Sequence, residues 1–280
     1  MVKYLLLFAL LFSFSFAEEY ALEDEDLLSS KIESFLGENV YQQKLNFINV
    51  IFEPKLAFYK NDRVDIVKVV KTLKENGLLE LFFKQPQELH LHFKTSGSPL
   101  FFVKLMSETL RNIGYYRYVT TSSSLNSSAF EWNIALTSEY ATDPIILQNE
   151  LKKSGSFIID IERKLATDWT YTIDMSGAFL NLQHLQAEEK VKLKHSLYAH
   201  WLDCSAVDFL SIKSTRRNNW YPYIALYDAS LHLLKVIKED TKHSSFKIEI
   251  PSVAKYIKIS DMYTLKNVKD ALILTPKGTR

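Results

Sequence analysis

One phrase is written three times in this chain: Leu73-Lys74-Glu75-Asn76-Gly77, Leu110-Arg111-Asn112-Ile113-Gly114 and Leu151-Lys152-Lys153-Ser154-Gly155. Each Leu lies four residues before a Gly and closes an apolar helical run. Before Gly77 the run is Val64, Val67, Val70 and Leu73. Before Gly114 it is Phe102, Leu105, Met106, Thr109 and Leu110, and before Gly155 it is Ile146, Leu147 and Leu151. Spacings of three and four keep one helix face apolar. A Gly just past the last turn is a helix stop, because only Gly enters the left-handed conformation without a Cβ clash. Lys74, Arg111 and Lys152 each sit in that last turn, where the helix dipole favours a cation.

Two strand-like runs follow each Gly: Leu78–Lys84 and Glu88–Lys94, Tyr115–Thr121 and Phe130–Thr137, Phe157–Lys164 and Trp169–Met175. Pro86 separates the first pair, and Ser122–Ser128 forms a flexible hairpin tip in the second. The unit is helix-Gly-strand-strand, with glycines about 40 residues apart, a period typical of arrayed modules. The alternative is an ordinary α+β domain whose helices end in Gly.

Gly114-Tyr115-Tyr116 after its helix resembles the small α/β modules of bacterial envelope proteins, the POTRA domains and the N-domains of secretins. Leu151-Lys152-Lys153-Ser154-Gly155-Ser156-Phe157 is similar to a phrase of TolB-type amino-terminal domains. The resemblance spans about half the chain on short motifs. It implies modules that hold partners and assemble machines.

Residues 1–17 have the pattern of a secretory signal: Lys3, an apolar core from Tyr4 to Phe14, then Ser15-Phe16-Ala17 as a small-x-small cleavage site. The core is shorter than the roughly 20 residues of a membrane span. Cleavage after Ala17 leaves no span, and Glu18 leaves no lipid-bearing cysteine. Few glycines and abundant Lys, Ile, Phe, Tyr and Asn read as AT-rich bacterial coding, so the expected destination is the periplasm.

The expected domains are a signal peptide (1–17), an N-terminal helical segment (18–62), an αββ-repeat domain (63–182) and a β-sandwich (183–280). In the helical segment Leu28, Ile32 and Phe35 form one face ended by Gly37, and Tyr41, Leu45, Ile48 and Phe52 form another. Asn181–Lys190 reads as a polar helical linker. From Val191 to Trp201 apolar residues alternate with polar ones, which is strand periodicity. Runs at Val207–Lys213, Tyr221–Tyr227, Leu231–Lys238, Phe246–Ile250, Tyr256–Ile259 and Ala271–Leu274 complete an antiparallel sandwich, with Asp228-Ala229-Ser230 as a hairpin turn. Phe246–Pro251 and Lys255–Asp261 have the look of adjacent antiparallel strands. The fold class is α+β.

Residues 1–17 carry one Lys and no acid, so of 34 basic and 33 acidic residues 33 of each remain after cleavage. A neutral chain lacks the basic face that nucleic acid demands. No two glycines lie within ten residues of each other, so phosphate-cradling loops and the Gly-x-Ser-x-Gly elbow are absent and no nucleotide or other cofactor is expected. No catalytic motif stands out, and the expectation is a protein that is not an enzyme. No metal site is expected. His90 and His92 share a strand face without a local third ligand, and the acidic run Glu23–Asp26 lacks calcium-loop spacing. His195 is expected as a hydrogen-bonded core residue, and the single cysteine, Cys204, as a buried small hydrophobe.

The least bland loop is Arg216-Arg217-Asn218-Asn219-Trp220-Tyr221-Pro222-Tyr223. Arg, Trp and Tyr dominate binding hot spots. Arg216, Arg217, Asn219, Trp220, Tyr221 and Tyr223 are therefore candidate binding residues, against the alternative that Trp220 and Tyr223 pack inward and the arginines are merely solvated. The function expected is a periplasmic scaffold or adaptor for envelope proteins, with secretion and flagellar-motor assemblies as hosts by analogy. The alternatives are a glycan- or peptidoglycan-binding protein stacking sugars on Trp220, Tyr221 and Trp201, and a hydrolase with scattered catalytic residues.

Overall fold

A computed structural model describes residues 27–278. The expected signal peptide and the acidic run before residue 27 lie outside the described residues. The fold is α+β, with a sheet-rich C-terminal part. It divides into two compact units: the described residues up to Gly97 with Leu105–Phe179, and Ser98–Lys104 with Leu180 onward. No helix among the described residues is long and apolar enough to cross a membrane.

The first unit opens with α1 (described over 27–36) and α2 (Glu38–Ile51), separated by Gly37. Leu28, Ile32, Phe35, Tyr41, Ile48 and Phe52 are buried, as their spacing predicts. A tight hairpin follows, β1 (Tyr59–Lys60) and β2 (Arg63–Val64). Its turn residues Asn61 and Asp62 both have positive φ, 51° and 57°, the twist that two-residue hairpins prefer.

Three helices then feed one sheet. Helix α3 (Ile66–Glu75) leads to β3 (Phe82–Thr95), α4 (Pro99–Asn112) to β4 (Val119–Leu125) and β5 (Phe130–Tyr140), and α5 (Pro144–Lys152) to β6 (Phe157–Leu165) and β7 (Asp168–Asp174). The sheet order is β4-β5-β3-β7-β6, so β3 is central and each later hairpin adds to one of its sides. The β3–β5 pairing is antiparallel and the β3–β7 pairing parallel.

Gly77, Gly114 and Gly155 all have positive φ, 70°, 105° and 68°, immediately after the three helices. The first helix-Gly-strand-strand unit, after Gly77, departs from expectation. Its two predicted strands are one strand, β3, whose pairing jumps from Phe82 opposite Tyr140 to Gln87 opposite Ser138. Pro86 sits in that irregular stretch, where its missing N–H costs no ladder bond. Along β3, Leu89, Leu91 and Phe93 are fully buried while His90, His92 and Lys94 occupy the opposite face, the alternation that strand geometry imposes. The aromatics Phe93, Trp132, Trp169 and Tyr171 pack ring against ring at 5.8–6.3 Å in this core. The Tyr171 hydroxyl donates to Thr142 O at 2.9 Å.

The second unit is a sandwich. One sheet has the order β13-β12-β15-β10-β8, and the other β14-β11-β16-β9. The strands are β8 (Gln183–His184), β9 (Val191–Lys194), β10 (His200–Asp203), β11 (Phe209–Ser214), β12 (Pro222–Tyr227), β13 (Leu233–Lys238), β14 (Ser245–Glu249), β15 (Tyr256–Asp261) and β16 (Ala271–Lys277). Residues of both sheets share one buried core, including Val191, Leu210, Ile224, Ile248, Ile257 and Leu272. Cys204 lies in it, fully buried.

Four expectations fail here. Asn181–Lys190 is not helical; it contains the short strand β8, paired parallel to β10, and buries Leu185. The alternating stretch Val191–Trp201 is two strands in opposite sheets, because a sandwich buries one face of each sheet and both strands carry the same pattern. For the same reason β14 and β15 are not neighbours: β14 pairs with β11, and β15 with β10 and β12. His195 is exposed, just beyond β9, with Nδ1 at 2.5 Å from Val268 O.

Candidate functional site

The loop between β11 and β12 crosses from one sheet to the other at an end of the sandwich. Its residues alternate between core and solvent. Asn218 is 1% exposed and both polar atoms of its side chain are engaged. Its Nδ2 donates to Ala271 O at 2.8 Å and Ser214 Oγ at 3.2 Å, and its Oδ1 accepts from Asp270 N at 2.8 Å. Trp220 is fully buried in the sandwich core, with Nε1 donating to Ser260 O at 2.9 Å. Trp220 therefore anchors the loop from within and presents no surface to a ligand.

Asp261, at the end of β15, ties the neighbouring loop to this one. Its Oδ2 accepts from Tyr221 N at 2.9 Å, and its Oδ1 accepts from Tyr263 N, Thr264 N and Asn267 Nδ2 at 2.9–3.0 Å. Asn267 O in turn accepts from Asn219 N at 2.9 Å. A third loop joins through Lys242 Nζ, which donates to Asn219 Oδ1 at 2.9 Å, and through His243 N, which donates to Trp220 O at 3.0 Å.

What faces outward is Arg216, Arg217 and Asn219, all exposed, with Tyr221 half-buried against Tyr263 in an edge-to-face pair at 5.1 Å. Neither arginine has an ion-pair partner among the described residues. Tyr223 belongs instead to the strand face of β12, with Lys238 and Lys258 over its ring at 5.5 and 5.9 Å. The structure thus groups Arg216, Arg217, Asn219 and Tyr221, adds Lys242 and Tyr263, sets Tyr223 on the sheet and buries Trp220. Sequence reasoning missed the positioning pair Asn218 and Asp261, since one Asn or Asp among many carries no mark of its burial.

Two free guanidinia and two tyrosines on a fixed frame can bind carboxylates and planar groups. Nothing in the arrangement resembles a proton relay. The nearest histidine, His243, meets both Thr241 Oγ1 (3.2 Å) and Glu239 Oε2 (3.6 Å) through the same nitrogen, Nε2, whereas a relay needs both ring nitrogens. Elsewhere, His90 and His92 do share a face. His92 Nδ1 lies 2.8 Å from Asn133 Oδ1 and its Nε2 lies 3.3 Å from Asp168 Oδ1. No group of three or more His, Cys, Asp or Glu able to hold a metal occurs among the described residues.

No protein-family model matches the chain, and no characterised protein does. Among solved structures, a periplasmic lysozyme inhibitor of g-type lysozyme, PliG from Aeromonas hydrophila, is similar at 12% identity. That match covers 34% of this chain and 95% of that one at a TM-score of 0.23. The secreted serine protease VesC from Vibrio cholerae is similar at 8% identity over 56% of this chain and 39% of that one, at a TM-score of 0.16. Likenesses this slight carry no statement about fold or function.

Proposed function

We propose that this chain is an exported periplasmic scaffold or adaptor that binds other cell-envelope proteins, and that Arg216, Arg217, Asn219 and Tyr221 make the contact. The observation that supports this is the fixed loop. Asn218 and Trp220 hold the backbone on either side of the outward residues, and Asp261 holds Tyr221. Binding through such a loop loses little backbone entropy, so the energy of Arg and Tyr contacts goes into affinity. A glycan-binding reading is less well supported. Its principal stacking platform, Trp220, is buried, and the Trp201 ring is stacked on Tyr227 at 5.0 Å.

A photo-crosslinking residue at Arg217, triggered in living cells, tests the proposal. The expected result is a discrete heavier band that mass spectrometry identifies as an envelope protein, lost when Arg216 is changed to Glu. Absence of a protein adduct, together with co-sedimentation of the purified chain with cell-wall sacculi, overturns the adaptor function in favour of glycan binding.

A further inference from the structure

The first unit contains a cationic cleft of about 780 Å³ between the β1–β2 hairpin, α3 and α5. The hairpin register sets Lys60 directly opposite Arg63. Like charges facing each other across strands repel, and neither has an ion-pair partner among the described residues. Lys152 from the last turn of α5 adds charge to the same lining, as do Lys68 and Lys71 of α3, of which Lys71 lies 3.7 Å from Glu75 and Lys68 donates to Ala57 O. Two carboxylates also line it: Asp65, which accepts from Lys68 N at 3.2 Å, and Asp174, which accepts from Ser176 N at 2.9 Å.

A further feature of the lining suits an anion. The cleft contains the first turn of α3, where Asp65 caps Lys68 N alone and the N–H groups of Ile66 and Val67 have no acceptor among the described residues. Helix N-termini of this kind favour anions through both free donors and dipole. Gln148 of α5 also lines the cleft, with its amide turned inward: Oε1 accepts from Ile158 N at 2.8 Å, and Nε2 is buried away from solvent.

We infer that this cleft binds an organic phosphate. The dianion would lie among Arg63, Lys60, Lys152 and the α3 N-terminus. The body of the ligand would rest on Val64, Ile145 and Ile158, which line the floor. The volume lies within the range of small-molecule sites, roughly 300–1,000 Å³. Cations from separate elements suit a dianion better than a single carboxylate, and the planar Arg fork matches phosphate oxygens.

Titration calorimetry of the purified chain at fixed ionic strength tests this with phenyl phosphate, inorganic phosphate and benzoate as probes. Phenyl phosphate is expected to bind at least about tenfold more tightly than benzoate. Arg63→Ala and Lys152→Ala, both at exposed positions, are each expected to weaken it about tenfold without changing the melting temperature. The inference fails if phenyl phosphate gives no binding at millimolar concentration, if benzoate binds equally well, or if neither surface variant alters affinity. Inorganic phosphate binding as tightly as phenyl phosphate would mark an adventitious ion only and would equally overturn it.

Discussion

At the scale of single residues, the candidate loop owes its shape to buried polar side chains rather than to its own sequence preferences. Asp261 satisfies three backbone N–H groups and one side-chain amide at once. Asp261→Ala would orphan all four donors, and hydrogen bonds to a charged acceptor are strong. The expected loss is about 3 kcal/mol of unfolding free energy, read by urea denaturation. Arg217→Ala, with its side chain in solvent, is expected to change stability by less than about 0.5 kcal/mol. That contrast separates residues that build the site from residues that use it. The hot-spot composition of Arg216–Tyr223 was legible in the sequence. Whether Trp220 or its neighbour Tyr221 faces the core was not, because the two are adjacent and either parity satisfies an alternating pattern.

At the scale of elements, the three glycine stops are alike in conformation and unlike in surroundings. A Cβ at Gly114 would meet nothing within 4 Å, whereas one at Gly155 would lie 2.3 Å from Gly177 O. Gly114→Ala is therefore expected to cost about 1 kcal/mol, the penalty of positive φ alone. Gly155→Ala is expected to cost about 3 kcal/mol, because backbone must also move. Thermal unfolding of the two variants checks the order. The helix stops were legible in the sequence, since a helix end is a local event written in the residues that make it. The strand count after the first stop was not. Pro86 reads as a break, yet the chain passes it as an irregularity in the pairing of β3, because partners on both sides hold the strand in place.

At the scale of the whole molecule, stability depends on pH through His200. Burial holds its pKa below the ordinary histidine value of 6.5, partly opposed by a backbone hydrogen bond at Lys194. The unfolded chain therefore binds this proton more readily than the folded one. Stability is fully present above pH 6.5 and declines as pH falls from there towards the folded pKa. The melting temperature of the wild-type chain is expected to fall more between pH 7.5 and 5.5 than that of His200→Gln, which has no proton to take up. Equal slopes would mean that His200 titrates alike in both states. The carboxylates with lowered pKa, Glu150 and Asp228, act in a more acidic range and leave this window clear.

By itself the sequence determined the α+β class, the helix stops and most strand positions in the sandwich, because helix ends and two-residue periodicity are set by interactions between near neighbours. The tertiary structure alone decided which strands are neighbours: that β14 and β15 lie in opposite sheets, and that β3 is central in a sheet the later hairpins complete. Pairing across a sheet joins residues far apart in the chain, and any apolar face can serve as the partner of another. The candidate sites follow the same division. Arg216 and Arg217 could be picked out as a pair in the chain. That Lys60, Arg63, Gln148 and Lys152 share one cleft depends on a hairpin and two helices meeting, and no local pattern records it.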